Sequence, residues 1–497
     1  MILRDNYKKL NLPLAVIEHI FSAISMFVVY KIIIKYLGVE LLGLWSILLA
    51  IISLTSIGTS GFASSAVKFV AKYITKNDKK KLISVIETTF ITVITFSTIL
   101  LLIISMIIYL FKTKLFTTEE FLVITDIYPY LIGSFIIAFS SSVFLSSLDG
   151  LKLIYLRSSI GILSKVSFLI SAIFLVKIFG LKGLAIGLLI QNSVLIIFSA
   201  FFLKQEIKGL NILFFRFNKK TFSEIFNYGY KFQIISIFQM LVDPLTKFLL
   251  KSYGGLTSVG YFELIYKFLY HTRQLIVVAI NTIIPTVASL KEQNTNNLRE
   301  KFYQTYSFTF IFSIIILTFV FSLFPLLMTF VDLKMNSEVS IYSSFIFLGL
   351  LFNLFSVTPY VFNLGTGRLK MNLISMGLMA ILNLILSSIF GYFYLGKGVI
   401  FGWMLAQITS SLVLLFLFIR SEKILLKVLV SRLDITLIAS IILSLITLYI
   451  VNKNNNYRLV TLSLVNFIIP FVLMVAPIFM NKKFKFIKKY IKEKLNF

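Results

Sequence analysis

The chain has 497 residues, of which 58% are hydrophobic and only 14% charged, with a mean hydropathy of +0.95. Soluble chains carry about 25% charged residues, so something other than water is the main solvent here. The absence of cysteine excludes a disulfide framework and thiolate metal or redox sites, and two histidines, His19 and His271, are too few for an all-His metal centre. No cofactor is expected.

Apolar stretches long enough to cross a hydrocarbon core of ~30 Å recur from end to end. They predict about fourteen spans, roughly 13–37, 42–70, 82–111, 124–148, 154–178, 181–203, 227–253, 257–289, 302–330, 340–363, 371–394, 397–419, 433–451 and 458–480. The opening Met1-Ile2-Leu3-Arg4-Asp5 lacks the order of a cleavable signal peptide, so the first span is expected to stay in the mature protein. The net charge of +28 is accounted for by topology. With the N-terminus inside, most Lys and Arg fall on the inner side, in Lys76–Lys81, Lys204 through Lys231 and the tail from Lys482 to Lys489. The sequence thus predicts a bacterial cytoplasmic (inner) membrane protein with both termini cytoplasmic, attracted to anionic lipids and not to nucleic acid.

An internal repeat organises the chain. Tyr36-Leu37-Gly38-Val39-Glu40-Leu41-Leu42-Gly43-Leu44-Trp45 aligns with Tyr253-Gly254-Gly255-Leu256-Thr257-Ser258-Val259-Gly260-Tyr261-Phe262 at an offset of about 217 residues. Asp149-Gly150-Leu151-Lys152 and Thr366-Gly367-Arg368-Leu369 repeat that offset. Lys182-Gly183 with Gly187, and Lys397-Gly398 with Gly402, do so at about 215. Six spans per repeat return the chain to the same side, so the halves share an orientation. The expected fold is an all-α integral membrane protein with two pseudo-symmetric six-helix bundles around a central cavity, plus two C-terminal helices. Its divisions are an N-terminal bundle over 1–205, a cytoplasmic amphipathic linker over 206–225, a C-terminal bundle over 226–428, and an appended helix pair with a basic tail over 429–497. The outer loops are short and leave no external domain.

Charges at membrane depth are costly and mark function unless they pair or snorkel. In the eighth span, Lys267, Tyr270, Gln274 and Asn281 fall within about 40° of Glu263 on a helical wheel, and His271 and Arg273 flank that stripe. The seventh span adds Ser236, Gln239, Asp243 and Lys247 along one face, with Pro244 as a candidate bend. The first span carries Glu18, Ser22 and Ser25 on one face, His19 beside it and Lys31 further along. Local pairing of Glu263 with Lys267 and of Asp243 with Lys247, each four apart, is the structural alternative. Lys165 is a further cation, in the fifth span. The excess positive charge of the eighth-span stripe suits an anionic head, and its hydroxyl and amide groups suit a bulky polar body. Lys31, Lys267, Tyr270, His271, Arg273, Gln274 and Asn281 are therefore the candidate substrate-binding residues. Glu18, Asp243 and Glu263 are candidate ion-coupling sites, because a buried carboxylate can exchange protons or hold Na⁺. No phosphate-binding loop, H-E-x-x-H or G-x-S-x-G motif is present, and Glu18 and His19 point about 100° apart on a helix. A secondary transporter is expected, not an enzyme.

The segment from Tyr36 to Trp45 resembles the "YLG…GLW" segment of polysaccharide flippases. Val67-Lys68-Phe69-Val70-Ala71-Lys72-Tyr73 and Val259-Gly260-Tyr261-Phe262-Glu263-Leu264-Ile265-Tyr266-Lys267 are similar to that family's second-span exit and eighth-span start. Over essentially its whole length the chain resembles the O-antigen and capsule-repeat (Wzx-type) flippases of the multidrug/oligosaccharidyl-lipid/polysaccharide exporter superfamily. The resemblance implies bundles that open alternately to each side and an undecaprenyl-diphosphate-linked oligosaccharide as substrate. With no nucleotide-binding motif, an H⁺ or Na⁺ gradient is the expected driver, and other polysaccharide-assembly membrane proteins are expected partners. The alternatives are a lipid II flippase and a multidrug/cation antiporter of the same superfamily. An integral-membrane polysaccharide polymerase or ligase is disfavoured by the short outer loops.

Overall fold

The computed structural model describes residues 10–211, 215–293 and 295–424. The thirteenth and fourteenth expected spans and the basic tail lie outside the described residues. The protein is an all-α membrane protein. Its principal helices are α1 (Asn11–Ser53), α2 (Ile57–Thr75), α3 (Lys79–Leu110), α4 (Thr118–Gly150), α5 (Ile154–Glu206), α6 (Lys219–Asn281), α7 (Ile284–Gln293), α8 (Thr295–Ser322), α9 (Ser337–Phe355), α10 (Val357–Thr366) and α11 (Leu369–Glu422).

Helix starts are set by short polar side chains that satisfy otherwise unpaired backbone donors. Asp78 accepts from the Lys81 N–H at 3.1 Å, and Asn336 from the Val339 N–H at 2.8 Å. Thr117 and Glu120 form a reciprocal capping box. Four of the helices are really two spans joined at a kink. Gly38 (φ 83°), Gly180 (φ 59°) and Gly255 (φ 75°) supply the bend in α1, α5 and α6, where positive φ is cheap only for glycine. In α11 the bend falls on Leu395, at φ 55°. In α5 and α11 the chain doubles back at the kink, since a Cβ on Gly183 would overlap the Leu175 carbonyl and one on Gly398 the Phe390 carbonyl. That close approach explains why Lys-Gly with a second glycine recurs in both halves.

Seven of the described helical stretches are long and apolar enough to cross a membrane. Their outward faces carry large apolar side chains, such as Leu102, Met106, Leu110, Phe174 and Ile178, each more than half exposed. A water-soluble monomer would not display such a surface. The α6 helix is not among the seven, although the sequence predicts two spans there. The helix forms over the seventh predicted span and most of the eighth, and carries Asp243, Lys247, Lys251, Glu263, Lys267 and Arg273.

The chain divides into two compact units between Glu263 and Leu264. In the first unit, the linker's Phe215 ring lies 4.2 Å from Phe90. Asn218 then caps α6 by accepting from the Thr221 N–H at 3.1 Å. Tyr73 donates to Glu224 at 2.9 Å and Ser65 to the Ile225 carbonyl at 3.1 Å, so the start of α6 is fixed to α2. Burial beside that carboxylate pushes the Tyr73 phenol up to about 12. The second unit has a core of Val287, Leu298, Phe302, Tyr306, Phe362 and Phe418, with Phe302 stacked on Phe418 at 4.7 Å and edge-on to Phe362 at 5.2 Å.

Candidate functional site

Several polar residues of α6 form clusters, one around Lys247 in the first unit and one around Arg273 in the second. In the first, Lys247 is only 3% exposed as a side chain, and Glu263 4%. Burying an ammonium is tolerable only if its three donors are satisfied. Lys247 Nζ donates to Asp243 Oδ2 at 2.9 Å and to the Ser46 carbonyl at 3.3 Å, and pairs with Glu263 Oε2 at 2.8 Å. Tyr30 completes the cluster by donating to Glu263 Oε1 at 2.6 Å. The i,i+4 pairing of Asp243 with Lys247 is therefore present, but it is part of a larger arrangement that also draws on α1. Asp243 is a third exposed, and its Oδ1, although itself buried, has no hydrogen-bond partner among the described residues.

Glu18 belongs to a separate group. It accepts from Arg157 Nη2 at 3.2 Å and from Lys165 Nζ at 3.1 Å, and Arg157 Nε lies 3.4 Å from Asp149 Oδ1. A Cβ on Gly161 would overlap the Glu18 carboxylate, so glycine there lets α1 close on α5. Lys165, which the sequence leaves alone in its span, is thus the partner of Glu18.

At the end of the first unit opposite the basic Lys76–Lys81 loop, Lys251 pairs with Glu120. It also donates to the Leu115 carbonyl at 2.6 Å and lies 4.3 Å from the Phe116 ring centroid. Thr257 donates to Glu40 at 3.1 Å, joining equivalent positions of the two repeats. Beside them the repeats cross backbone to backbone. A Cβ on Gly43 would overlap the Leu256 carbonyl, and one on Gly260 the Val39 carbonyl.

In the second unit, Arg273 Nε donates to Asn353 Oδ1 at 2.6 Å, and the guanidinium carbon lies 5.5 Å from the Tyr270 ring centroid. Gln274 donates to the Tyr270 hydroxyl. Tyr270 stacks on Tyr266 at 5.2 Å, and Trp403 meets Tyr266 edge-on at 5.8 Å. Of the other candidate residues, Lys31, Lys267 and His271 are half-buried and Asn281 is exposed. The structure thus gathers Tyr270, Arg273 and Gln274 in one place, and Asp243 with Glu263 in another. Sequence reasoning missed Tyr30 and Asn353, and left Lys247 out of the site. A lone amide in the apolar run Gly349-Leu350-Leu351-Phe352-Asn353-Leu354-Phe355 was the available signal for Asn353.

Solved structures of membrane transporters share this fold. An inward-facing multidrug resistance MATE family transporter of the MOP superfamily superposes with a TM-score of 0.68 at 16% identity, covering 80% of this chain and 93% of its own. The lipid II flippase MurJ, in an inward closed conformation, gives 0.66 at 18% identity, covering 95% and 99%. A MOP superfamily transporter from Pyrococcus furiosus, whose binding pocket is described as having reverse polarity, gives 0.57 at 15% identity, covering 82% and 95%. No curated protein matches the chain by sequence. The family described as "Polysaccharide biosynthesis protein" matches residues 14–291, more than half of the chain, and the chain belongs to that family. The likeness to the solved transporters, at 15–18% identity, shows a shared fold.

Proposed function

We propose that the protein flips an undecaprenyl-diphosphate-linked oligosaccharide, an O-antigen or capsule repeat unit, from the cytoplasmic to the outer leaflet of the bacterial inner membrane by ion-coupled alternating access. Both termini are cytoplasmic in this reading, which follows the excess of Lys and Arg on that side. Membership of a polysaccharide biosynthesis family supports the saccharide. The observation that carries the transport reading is α6, whose charged side chains Lys247 and Glu263 are buried within a protein that carries large apolar side chains on its outer faces. It places a buried ion cluster at Lys247 and Glu263 and a guanidinium over an aromatic ring at Arg273. Such groups are costly in hydrocarbon and are retained where a polar solute crosses.

In this reading Lys31, Lys267, His271, Arg273, Gln274, Tyr270 and Asn281 contact the diphosphate and sugar. Asp243 and Glu263, with Glu18 as a third candidate, respond to an H⁺ or Na⁺ gradient. The lipid II flippase fold match makes lipid II the substrate to compare. Proteoliposomes containing the purified protein, given lipid-linked oligosaccharide or lipid II labelled in the sugar, test the reading. Gradient-dependent loss of label from the accessible leaflet is expected for the oligosaccharide carrier. Transport of lipid II alone, or of organic cations alone, overturns it.

A further inference from the structure

Arginine differs from lysine in presenting its donors as a planar fork, and a fork selects its ligand only if its plane is fixed. Arg273 is held by two partners, one of them braced in turn. Its Nε is committed to Asn353 Oδ1 at 2.6 Å. Its guanidinium lies over Tyr270, whose hydroxyl is held by Gln274 and whose ring is stacked on Tyr266. Tyr266 is in turn braced edge-on by the buried Trp403. The brace returns to the helix that supplies Asn353. A Cβ on Gly349, one turn before Asn353 in α9, would lie 2.7 Å from the Trp403 indole. Helix α9 therefore both receives Trp403 at Gly349 and orients Arg273 through Asn353. Asn353 also stands in the last turn of α9, where Ser356 bonds back to its carbonyl at 2.8 Å. A cation near that end is favoured by the helix dipole.

With Nε committed, the guanidinium edge that remains for a ligand is the pair Nη1 and Nη2. Two parallel donors on one edge match two oxygens of one phosphoryl group or of adjacent ones. We infer that Asn353 is a positioning residue that turns this edge of Arg273 toward the diphosphate of the carrier lipid, making the site selective for a diphosphate over a single phosphate ester. The inference rests on the flippase reading for its ligand, but its geometry belongs to the second unit alone.

Trp403 offers the readout, since Trp45 is the other tryptophan and Trp45→Phe removes it. The Trp45→Phe protein in phosphatidylcholine nanodiscs is titrated with a sugar-free polyprenyl diphosphate, a polyprenyl monophosphate and phosphatidylglycerol while Trp403 emission is followed. A saturable response to the diphosphate is expected, with weaker binding of the monophosphate. Asn353→Ala should raise the half-saturating diphosphate concentration about tenfold, the effect of losing one charge-assisted hydrogen bond, and should narrow the gap to the monophosphate. Arg273→Lys, which keeps the charge, should do the same, and adding Asn353→Ala to it should change nothing further. A structural role would instead lower thermal stability in either background and leave the selectivity intact. Equal responses to diphosphate and phosphatidylglycerol would assign the site to ordinary headgroup phosphate and overturn the inference. So would additive effects of the two substitutions, or unaltered selectivity in Asn353→Ala. Failure of transport with these binding results intact would count against the flippase reading and leave the positioning role standing.

Discussion

Lys247 and Glu263 stand on either side of the α6 kink at Gly255 and meet at 2.8 Å with almost no solvent exposure. The bend is what brings them together. On a straight helix their separation of sixteen residues would amount to about 24 Å. The ion pair and the kink therefore stabilise one another, and Tyr30 ties the pair to α1.

Removing one partner of a buried pair is more damaging than removing the pair, because a charge is left without compensation. Lys247→Met strands Glu263 and Asp243 together and should cost on the order of 3–5 kcal/mol. Glu263→Gln leaves Lys247 paired with Asp243 and should cost clearly less. Thermal unfolding of both variants in detergent checks the order. Equal losses would mean that Asp243 does not share the ammonium.

Asp243 is the cluster carboxylate with solvent access and with a buried oxygen that lacks a hydrogen-bond partner. Asp243→Asn keeps its shape and leaves the Lys247–Glu263 pair intact. Near-normal stability and substrate binding are expected, with flipping that no longer depends on the gradient. Transport that still collapses with the proton and sodium gradients, as in the wild type, would move the coupling role to Glu18 or Glu263.

Topology is open to a clean test because the natural chain has no cysteine. Single cysteines at Asn77, in the basic loop before α3, and at Thr117, before α4, should differ in intact cells. An impermeant thiol reagent should label position 117 and spare position 77. The opposite pattern would invert the orientation.

Leu395 bends α11 at φ 55°, where the first repeat has Gly180 at φ 59°. A leucine held there costs on the order of 1–3 kcal/mol, and its side chain is mostly exposed. Leu395→Gly should raise thermal stability, with activity unchanged. A fall in melting temperature would show that the leucine's contact with its surroundings outweighs the backbone strain.

Much of this organisation was legible in the sequence, because a hydrocarbon solvent demands long apolar helices and because exact glycine positions leave a repeat signature. Gly38 and Gly255, aligned from the sequence alone, both prove to be kinks, and Gly43 and Gly260 both lie at a close crossing. The partners within the polar clusters were not legible. Helical periodicity says which residues share a face of one helix, so it found Asp243 with Lys247. It carries no information on which neighbour that face meets, so Tyr30, Ser46 and Asn353 were missed, and so was the pairing of Lys165 with Glu18. The seventh and eighth spans were read as separate helices, and only the kink geometry shows how Lys247 reaches past one turn of chain to the other.

The reciprocal crossing at Gly43 and Gly260 is made by backbone atoms, with no titratable or charged group in it. Neither acidification nor salt can loosen it directly. Dispersion contacts lose a quarter to a half of their strength over a gap of about 0.5–1 Å, so the crossing depends on close fit. Its flanks are different in kind. Lys251 with Glu120 and Thr257 with Glu40 are contacts that ions and protons can weaken. The chemical sensitivity of this end of the molecule is therefore carried by its flanks, while the fit at the glycines is set by shape alone.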